Sequence, residues 1–344
     1  MLALAVGSAG GALFNLLTLP LPWMLGSMTA CTVAAISGLG PAVPLRLRQA
    51  MILVLGVMLG SAFTPDLLPR LGGWMGTLAG LFAAMAATTA AVMAYLRRFG
   101  AMGPVTAYFA AAPGGINEMV MTGGAMGGDE RTIALVHALR ILLIVFAVPF
   151  GFRFLAGVQG QPMAAAMGSL AGLAWTDAGV MAAAAAVGAV AARLMRWPAA
   201  VLTGPMAASA ALHLAGLTAS RPPAELVMAA PAAVGAGLGS RFAGLGWRDV
   251  AGTLRVSLGS TALMLAASAG GAWALSVAAG LPFPMLLLAF VPGGIAEMCL
   301  IALALGEDVA FVSTHHVLRV VMVIVAAPLA FRLARRWWGT EGGA

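Results

Sequence analysis

The sequence predicts an all-α polytopic membrane protein made of two inverted repeats, each with about five transmembrane helices and one re-entrant hairpin. Three observations lead to this prediction. The 344 residues are 62% hydrophobic and only 8% charged, whereas a soluble domain has about 25% charged residues. The stretch PGGINEM at 113–119 returns 179 residues later as PGGIAEM at 292–298. The arginines, finally, fall mainly on one side of the predicted membrane.

The composition excludes several classes of protein. The apolar runs are long and continuous, which is typical of helices rather than of the alternating strands of a membrane β-barrel. The 45 glycines suit helices that pack backbone to backbone in lipid. All 18 basic residues are arginines, and the formal net charge is +7. Because they are scattered at the ends of apolar runs, they indicate membrane topology and not a nucleic-acid surface.

Twelve apolar segments follow one another along the chain, six in each half, and most have the length of a transmembrane helix. The first six lie at 2–19, 22–39, 47–64, 73–96, 104–126 and 131–152, and the second six at 173–195, 199–218, 225–242, 250–279, 283–305 and 309–331. We therefore expect a first membrane repeat at 1–155, a connector at 156–172, a second repeat at 173–336 and a short C-terminal tail at 337–344.

The positive-inside rule decides how the fifth and eleventh segments are placed. If all twelve segments span the membrane, nine of fifteen flanking arginines fall inside. If these two segments instead enter and return on the same side, twelve fall inside: Arg46, Arg48, Arg97, Arg98, Arg131, Arg193, Arg196, Arg241, Arg248, Arg332, Arg335 and Arg336. The second arrangement is favoured. It inverts the second repeat relative to the first and places both termini in the cytoplasm.

A Pro-Gly-Gly break lies in each of these two segments. Proline removes a backbone donor and glycine lets the chain bend, so a continuous helix is not expected. Broken backbone at membrane depth is tolerated where it is buried in protein or lines a wet cavity. The half-helix that follows presents free N–H groups to an anionic or polar solute. The alternative is a simple kink that lets two helices cross, but two breaks in register favour a paired site.

Glu118 and Glu297 follow the breaks at matching positions inside apolar segments. A carboxylate there is costly and is by default a candidate functional group. It suits a proton carrier, a cation ligand or the structural partner of an arginine. Asn117 has no polar counterpart, since the second copy has Ala296. This asymmetry indicates that the first break makes more of the ligand contact.

Arg140 and Arg319 lie about ten residues inside long apolar helices, with His137 and His316 three residues earlier on the same helical face. Each guanidinium is expected to face an acidic solute or a coupling carboxylate. The alternative is an Arg–Glu pair that locks the hairpin to the next helix. The predicted solute-binding residues are Pro113, Gly114, Gly115, Asn117, Glu118, Arg140, Pro292, Gly293, Gly294, Glu297 and Arg319. The candidates for ion coupling are Glu118, Glu297, His137 and His316.

Other chemistry has little support in the sequence. His315 and His316 are adjacent and point to different faces, and Cys31 and Cys299 form no cluster with them, so no metal site is expected. There is no nucleotide-binding loop. We therefore expect no cofactor and no catalytic residue. Asp129 and Asp308, with the neighbouring Glu130 and Glu307, are expected to complement helix N-termini.

The paired motifs, LGSAF…PGGINEM…HALR in one half and LGSRF…PGGIAEM…HVLR in the other, resemble the AbrB-type integral membrane protein family, which has a duplicated membrane domain. The resemblance covers nearly the whole chain. Members of that family are labelled as regulators of gene expression or as ammonia monooxygenases, and the residues point to neither directly. Five helices plus a hairpin, inverted and repeated, also look like the glutamate–sodium symporter group, which implies a fold but not a function.

The leading hypothesis from the sequence is an ion-coupled secondary transporter or exporter of a small polar or anionic solute, in the inner (plasma) membrane. Its partners would be the lipid bilayer, the solute and a coupling proton or sodium ion, with a homodimer left open. The alternative is a membrane-embedded solute sensor that regulates gene expression indirectly. The sensor would need a partner protein, because the sequence has no signalling domain.

Overall fold

The computed structural model describes residues 2–154, 157 and 169–335, and that part of the chain contains helices and no strand. The α-helices in chain order are α1 Leu2–Leu16, α2 Pro22–Ile36, α3 Leu45–Gly60, α4 Trp74–Phe99, α5 Pro104–Ala111, α6 Ile116–Ala125, α7 Glu130–Phe154, α8 Trp175–Leu194, α9 Ala200–Leu214, α10 Ala224–Gly239, α11 Trp247–Ala279, α12 Phe283–Phe290, α13 Ile295–Leu305 and α14 Val309–Arg335. Short 3-10 turns precede α4 at Pro65–Gly73 and follow α10 at Ser240–Phe242.

Each of the twelve predicted segments corresponds to one helix or to a broken pair, with ends that agree within a few residues. The fifth and eleventh segments are divided into α5–α6 and α12–α13, as the Pro-Gly-Gly motifs predicted. The predicted connector at 156–172 lies mostly outside the described residues, and the tail at 337–344 lies wholly outside them. The repeat boundaries therefore stay predictions.

Among the described residues, five helices are long and apolar enough to cross a membrane: Pro65–Phe99, Glu130–Phe154, Trp175–Leu194, Val250–Ala279 and Val309–Leu333. The chain is thus a membrane protein with several candidate spans. Helices α1, α2 and α9 are apolar but have only 15 residues each, about 22 Å at 1.5 Å per residue, against a hydrocarbon core of about 30 Å. The larger number of spans, the hairpins' return to one side and the inversion of the repeats are developed below as proposals.

Helices α1–α3 and α8–α10 form one group, which we call the glycine-packed group. Helix α1 packs on α2 and α8 on α9, while α2 packs on α10 and α3 on α9. At the α1–α2 crossing, a β-carbon on Gly10 would overlap the carbonyl oxygen of Gly26. At the α8–α9 crossing, Gly188 and Gly204 meet in the same way. Since lipid supplies no hydrophobic force between helices, this close backbone approach is what holds them together.

Helices α4–α7 and α11–α14 form the second group, which we call the broken-helix group. The long helices α4 and α11 lie side by side, α5 packs between α4 and α7, and α12 packs on α11 and α14. An aromatic contact joins the two halves of this group, because the rings of Phe109 in α5 and Phe331 in α14 have centroids 5.5 Å apart. Both Pro-Gly-Gly breaks lie on the face of the broken-helix group that is directed toward α3 and α10.

Candidate functional site

Each break is a short extended stretch between two half-helices. Helix α5 ends at Ala111, Ala112 is extended with φ −60° and ψ 129°, and α6 begins after Gly115, which has φ −65° and ψ 141°. The second break repeats this conformation at Val291 and Gly294. Because proline has no N–H group to continue the helix, the carbonyl groups at the ends of α5 and α12 need other partners.

Arg140 and His137 of α7 supply those partners at the first break. Arg140 donates from one terminal nitrogen to the carbonyl oxygen of Ala112 at 3.2 Å and from the other to Nδ1 of His137 at 2.8 Å. His137 Nε2 lies 2.8 Å from the carbonyl oxygen of Phe109. Since a guanidinium can only donate, Nδ1 of His137 is the acceptor and Nε2 carries the proton. Both ring nitrogens are therefore occupied.

Arg319 and His316 of α14 repeat the arrangement at the second break. Arg319 donates to the carbonyl oxygens of Val291 at 2.8 Å and Gly293 at 2.7 Å, and to Nδ1 of His316 at 3.0 Å. His316 Nε2 lies 2.8 Å from the carbonyl oxygen of Leu288. The arginine thus holds the broken helix to the next one through backbone carbonyl groups. The predicted alternative, an Arg–Glu pair, was wrong in its partner, because the hydrogen bonds of both arginines within the described residues go to carbonyl groups and histidines.

Glu118 and Glu297 are the third residues of α6 and α13, and each side chain turns back toward the glycine before its helix. A β-carbon on Gly115 would overlap Oε2 of Glu118, and one on Gly294 would overlap Oε2 of Glu297. Glu297 is only 7% exposed, while Glu118 is half-buried. A carboxylate in this position complements the free N–H groups of a helix N-terminus. The positive ends of both half-helices therefore already face a negative group.

The two breaks line one cavity of about 420 Å³ between the broken-helix group and the glycine-packed group. All eleven residues predicted to bind solute line it, whereas His137 and His316 lie behind the arginines and do not. The coupling role predicted for these two histidines stays a prediction. The remaining lining residues are Leu45, Arg48, Gln49, Ile52, Ile116, Ile141, Ala199, Ala200, Val201, Leu202, Val234, Gly237, Leu238, Arg241, Ile295, Ala296 and Val320.

The sequence did not predict three of the polar residues that line the cavity: Arg48, Gln49 and Arg241. The two arginines lie at the ends of apolar runs and were therefore interpreted as topology signals, so they were not predicted to line the cavity. A signal was nevertheless present in the duplicated pattern. At the offset of 179 residues, Arg241 matches Ala62 and Arg48 matches Val227, so both arginines break the symmetry of otherwise similar segments.

The buried guanidinium groups retain unused donors. Nε of Arg140 and Nε of Arg319 are buried and have no hydrogen-bond partner among residues 2–154 and 169–335. Both side chains are 2% exposed, and in the same part of the chain their partners are carbonyl groups and histidines rather than carboxylates. A buried charge without a partner costs several kcal/mol. Both residues also line the cavity, so their positive charge can stabilise an anion that is bound there.

A second, much smaller pocket of about 10 Å³ adjoins the cavity and has room for about one water molecule. Pro113, Pro292 and Arg319 line both spaces, so they form the wall between them. The other walls of the small pocket come from α4 and α11, with Thr88 and Ser268, and from Phe290 at the end of α12. The large cavity thus ends at the two prolines.

The aspartates before α7 and α14, Asp129 and Asp308, cap these helices, as expected. Asp129 Oδ1 accepts hydrogen bonds from the backbone N–H groups of Arg131 and Thr132, and Asp308 Oδ1 accepts one from Phe311. A side-chain hydrogen bond from Thr132 is the main cause that lowers the pKa of Asp129 below its usual value. These carboxylates cap helices outside the cavity.

The other titratable clusters offer no metal site in the described part of the chain, where no group of three or more histidine, cysteine or acidic side chains could hold an ion. His315 and His316 point apart: His315 Nε2 lies 2.9 Å from Oγ1 of Thr77, on the far side of α14 from the Leu288 contact of its neighbour. Cys31 and Cys299 are both buried free thiols.

Comparison with known proteins shows which family this chain belongs to. A protein of Bacillus subtilis (strain 168) named "Uncharacterized protein YhjN" is 27% identical over 98% of this chain and 94% of its own length. A protein of Escherichia coli (strain K12) named "Putative regulator AbrB" is 26% identical over 91% of this chain and 90% of its own. No solved structure matches. The family described as "Transition state regulatory protein AbrB" matches residues 23–335, and the chain therefore belongs to the AbrB family.

Proposed function

We propose that the protein is an ion-coupled secondary transporter of a small anionic solute, which binds in the cavity between the two broken helices. The observation that carries the proposal is the pair of buried arginines, Arg140 and Arg319, whose Nε groups face no partner within the described chain. Their charge lies in a membrane protein next to a cavity of drug-like size, about 420 Å³. An anion is the ligand that this arrangement stabilises most.

The matching contacts at the two breaks support an internal duplication. The acceptors of His137 and His316 are Phe109 and Leu288, and these are 179 residues apart, like the histidines themselves. The same offset relates the hydrogen bond of Arg140 to Ala112 and that of Arg319 to Val291. Paired broken helices that meet at one site are typical of transporters built from repeats. We propose that the repeats are inverted and that α5–α6 and α12–α13 are re-entrant hairpins.

The wall at the end of the cavity favours transport over sensing. Pro113 and Pro292 separate a large cavity from a small pocket lined by α4 and α11, which is what one conformation of an alternating-access transporter requires. The cavity wall includes Arg48 and Arg241, which the arginine distribution places on the cytoplasmic side, together with both termini. We propose that this conformation is open to the cytoplasm of a bacterial-type inner membrane.

Glu118 and Glu297 are the proposed coupling groups. Both line the cavity and share it with the anion-binding arginines, so a proton or sodium ion bound at either carboxylate would raise the affinity for the anion. The proposal includes no catalytic step, no cofactor and no contact with nucleic acid.

The experiment that tests the proposal is flux in proteoliposomes with a broad panel of labelled organic anions. We expect counterflow of at least one anion through the unmodified protein, its loss in Arg140→Leu, and loss of dependence on the proton or sodium gradient in Glu118→Gln. Arg248→Leu, an exposed arginine outside the cavity, is the matched control. Absence of flux across the whole panel, or normal transport by both cavity variants, would overturn the assignment.

A second function is favoured by one observation, the regulator in the name of the Escherichia coli relative. In that case the cavity would bind an anion without net flux, and a partner protein would carry the signal. Cells with Arg140→Leu would then show altered transcription with unchanged uptake, whereas a transporter would lose uptake as well.

A further inference from the structure

The solute cavity has a second positively charged wall that the symmetric pair Arg140 and Arg319 does not explain. Arg48 of α3 and Arg241, just after α10, line the cavity from the glycine-packed group. The Arg48 side chain lies over Gly237 of α10, because a β-carbon on that glycine would stand 3.4 Å from Cδ of Arg48. Gly237 precedes Arg241 by one helical turn, so the two arginines are neighbours on the cavity wall.

The guanidinium groups of these two arginines are left free to bind a solute. Neither guanidinium has a hydrogen bond or an ion pair with any residue in the described ranges 2–154 and 169–335. Glu297 lies within electrostatic reach of both of them, so one carboxylate faces two positive charges. A mere anchor for lipid headgroups would not need to point into a cavity that also contains the breaks.

The charges of the cavity wall do not balance. Four arginines and two glutamates line it, which leaves an excess of two positive charges when both glutamates are ionised, and a larger excess if either is protonated. Arg140 and Arg319 share the broken-helix wall with Glu118 and Glu297, so the excess lies on the opposite wall, at Arg48 and Arg241. A solute with a single acidic group neutralises only half of this excess, and the buried Nε groups of Arg140 and Arg319 still lack a hydrogen-bond partner among the described residues.

We propose that the solute is a small dianion with two separate acidic groups, such as a short dicarboxylate. One acidic group binds between Arg140 and Arg319, and the other binds between Arg48 and Arg241, so that the solute bridges the two helix groups. This inference rests on the proposed anion site and adds its substrate class. It also makes Arg48 and Arg241 specificity-determining residues, because only they distinguish a dianion from a monoanion of similar size.

The test compares succinate, butyrate and inorganic phosphate as ligands of the full-length purified protein at equal ionic strength and pH 7.5. Binding is measured as the shift in thermal unfolding over a concentration series. We expect succinate to stabilise the protein at concentrations about tenfold or more below those of butyrate, since one additional charged hydrogen-bonded contact is worth at least this factor. Arg241→Gln should remove that advantage and leave the butyrate response unchanged, while the exposed Arg248→Gln should change neither.

The outcomes separate this inference from the proposed function. Equal responses to succinate and butyrate, unaffected by Arg241→Gln, would overturn the dianion proposal and leave the anion site intact. Stabilisation by phosphate but not by succinate would also overturn it, because a single compact group would then satisfy the site. No response to any of these three anions would overturn the dianion proposal, whereas the proposed function would be overturned only by absence of flux across the broad panel of organic anions. If Arg241→Gln unfolds, Arg48→Gln provides the same comparison.

Discussion

The charge-conserving substitution Arg319→Lys tests whether the guanidinium fork holds the second break together. Arg319 serves three acceptors at 2.7–3.0 Å, namely the carbonyl groups of Val291 and Gly293 and Nδ1 of His316. A lysine keeps the positive charge, but its single nitrogen cannot occupy both terminal positions of the fork. About two acceptors are then left without a donor, at about 1–3 kcal/mol each. We expect a loss of about 2–6 kcal/mol in the free energy of unfolding.

Arg140→Lys provides an internal comparison, because Arg140 serves only two acceptors. One of them would be left unpaired, so its loss should be about half as large. The exposed Arg248→Lys is the control and should stay within about 0.5 kcal/mol of the parent. Unfolding can be followed with a fluorogenic maleimide, since Cys31 and Cys299 are both buried and react only when the fold opens. If Arg319→Lys is as stable as the parent, or if Arg140→Lys is less stable than Arg319→Lys, the role given to the guanidinium fork is wrong.

Two further substitutions test the scaffold. Gly26→Ala should destabilise the protein by about 1–3 kcal/mol, because its β-carbon would overlap the carbonyl oxygen of Gly10; Gly76→Ala, where nothing lies within 4 Å, should lose nothing in the same unfolding assay. Asp129→Ala removes a helix cap and should lose about 1 kcal/mol at pH 7. The folded-state pKa of Asp129 is lowered by Thr132, so this contribution is present above about pH 4 and fades as the pH falls through the folded pKa. Unfolding measured from pH 7 to 3 should therefore show parent and variant converging, and a constant gap would contradict the cap.

The sequence was sufficient to find both breaks and most of the cavity because the required residue types are rare in apolar segments. A proline followed by two glycines interrupts a helix wherever it stands, and a carboxylate or guanidinium inside a membrane segment needs a reason. Glu118 and Arg140 recur at matching positions as Glu297 and Arg319, and this repetition indicated that both pairs belong to one kind of site. Their meeting in one cavity follows from the packing of the two breaks.

The contacts inside the site could not be derived from the sequence alone. An arginine and a glutamate in neighbouring segments suggest an ion pair, but Arg140 bonds to the carbonyl group of Ala112, which carries no sequence signature. Equally, Arg241 has the same sequence context as an ordinary topology signal, and only the packing of α10 beside α3 turns it into a cavity residue. Such assignments depend on which helices are neighbours, and periodicity does not encode this.

The most direct test of the central claim, that an anion occupies the cavity between the breaks, is protection of an introduced cysteine. Asn117 lines the cavity and is exposed, so Asn117→Cys should react readily with a charged maleimide in detergent. Succinate, or the panel anion with the largest flux, should slow this reaction severalfold and leave Asp66→Cys, an exposed site outside the cavity, unchanged. Equal labelling of position 117 with and without the transported anion would contradict the account.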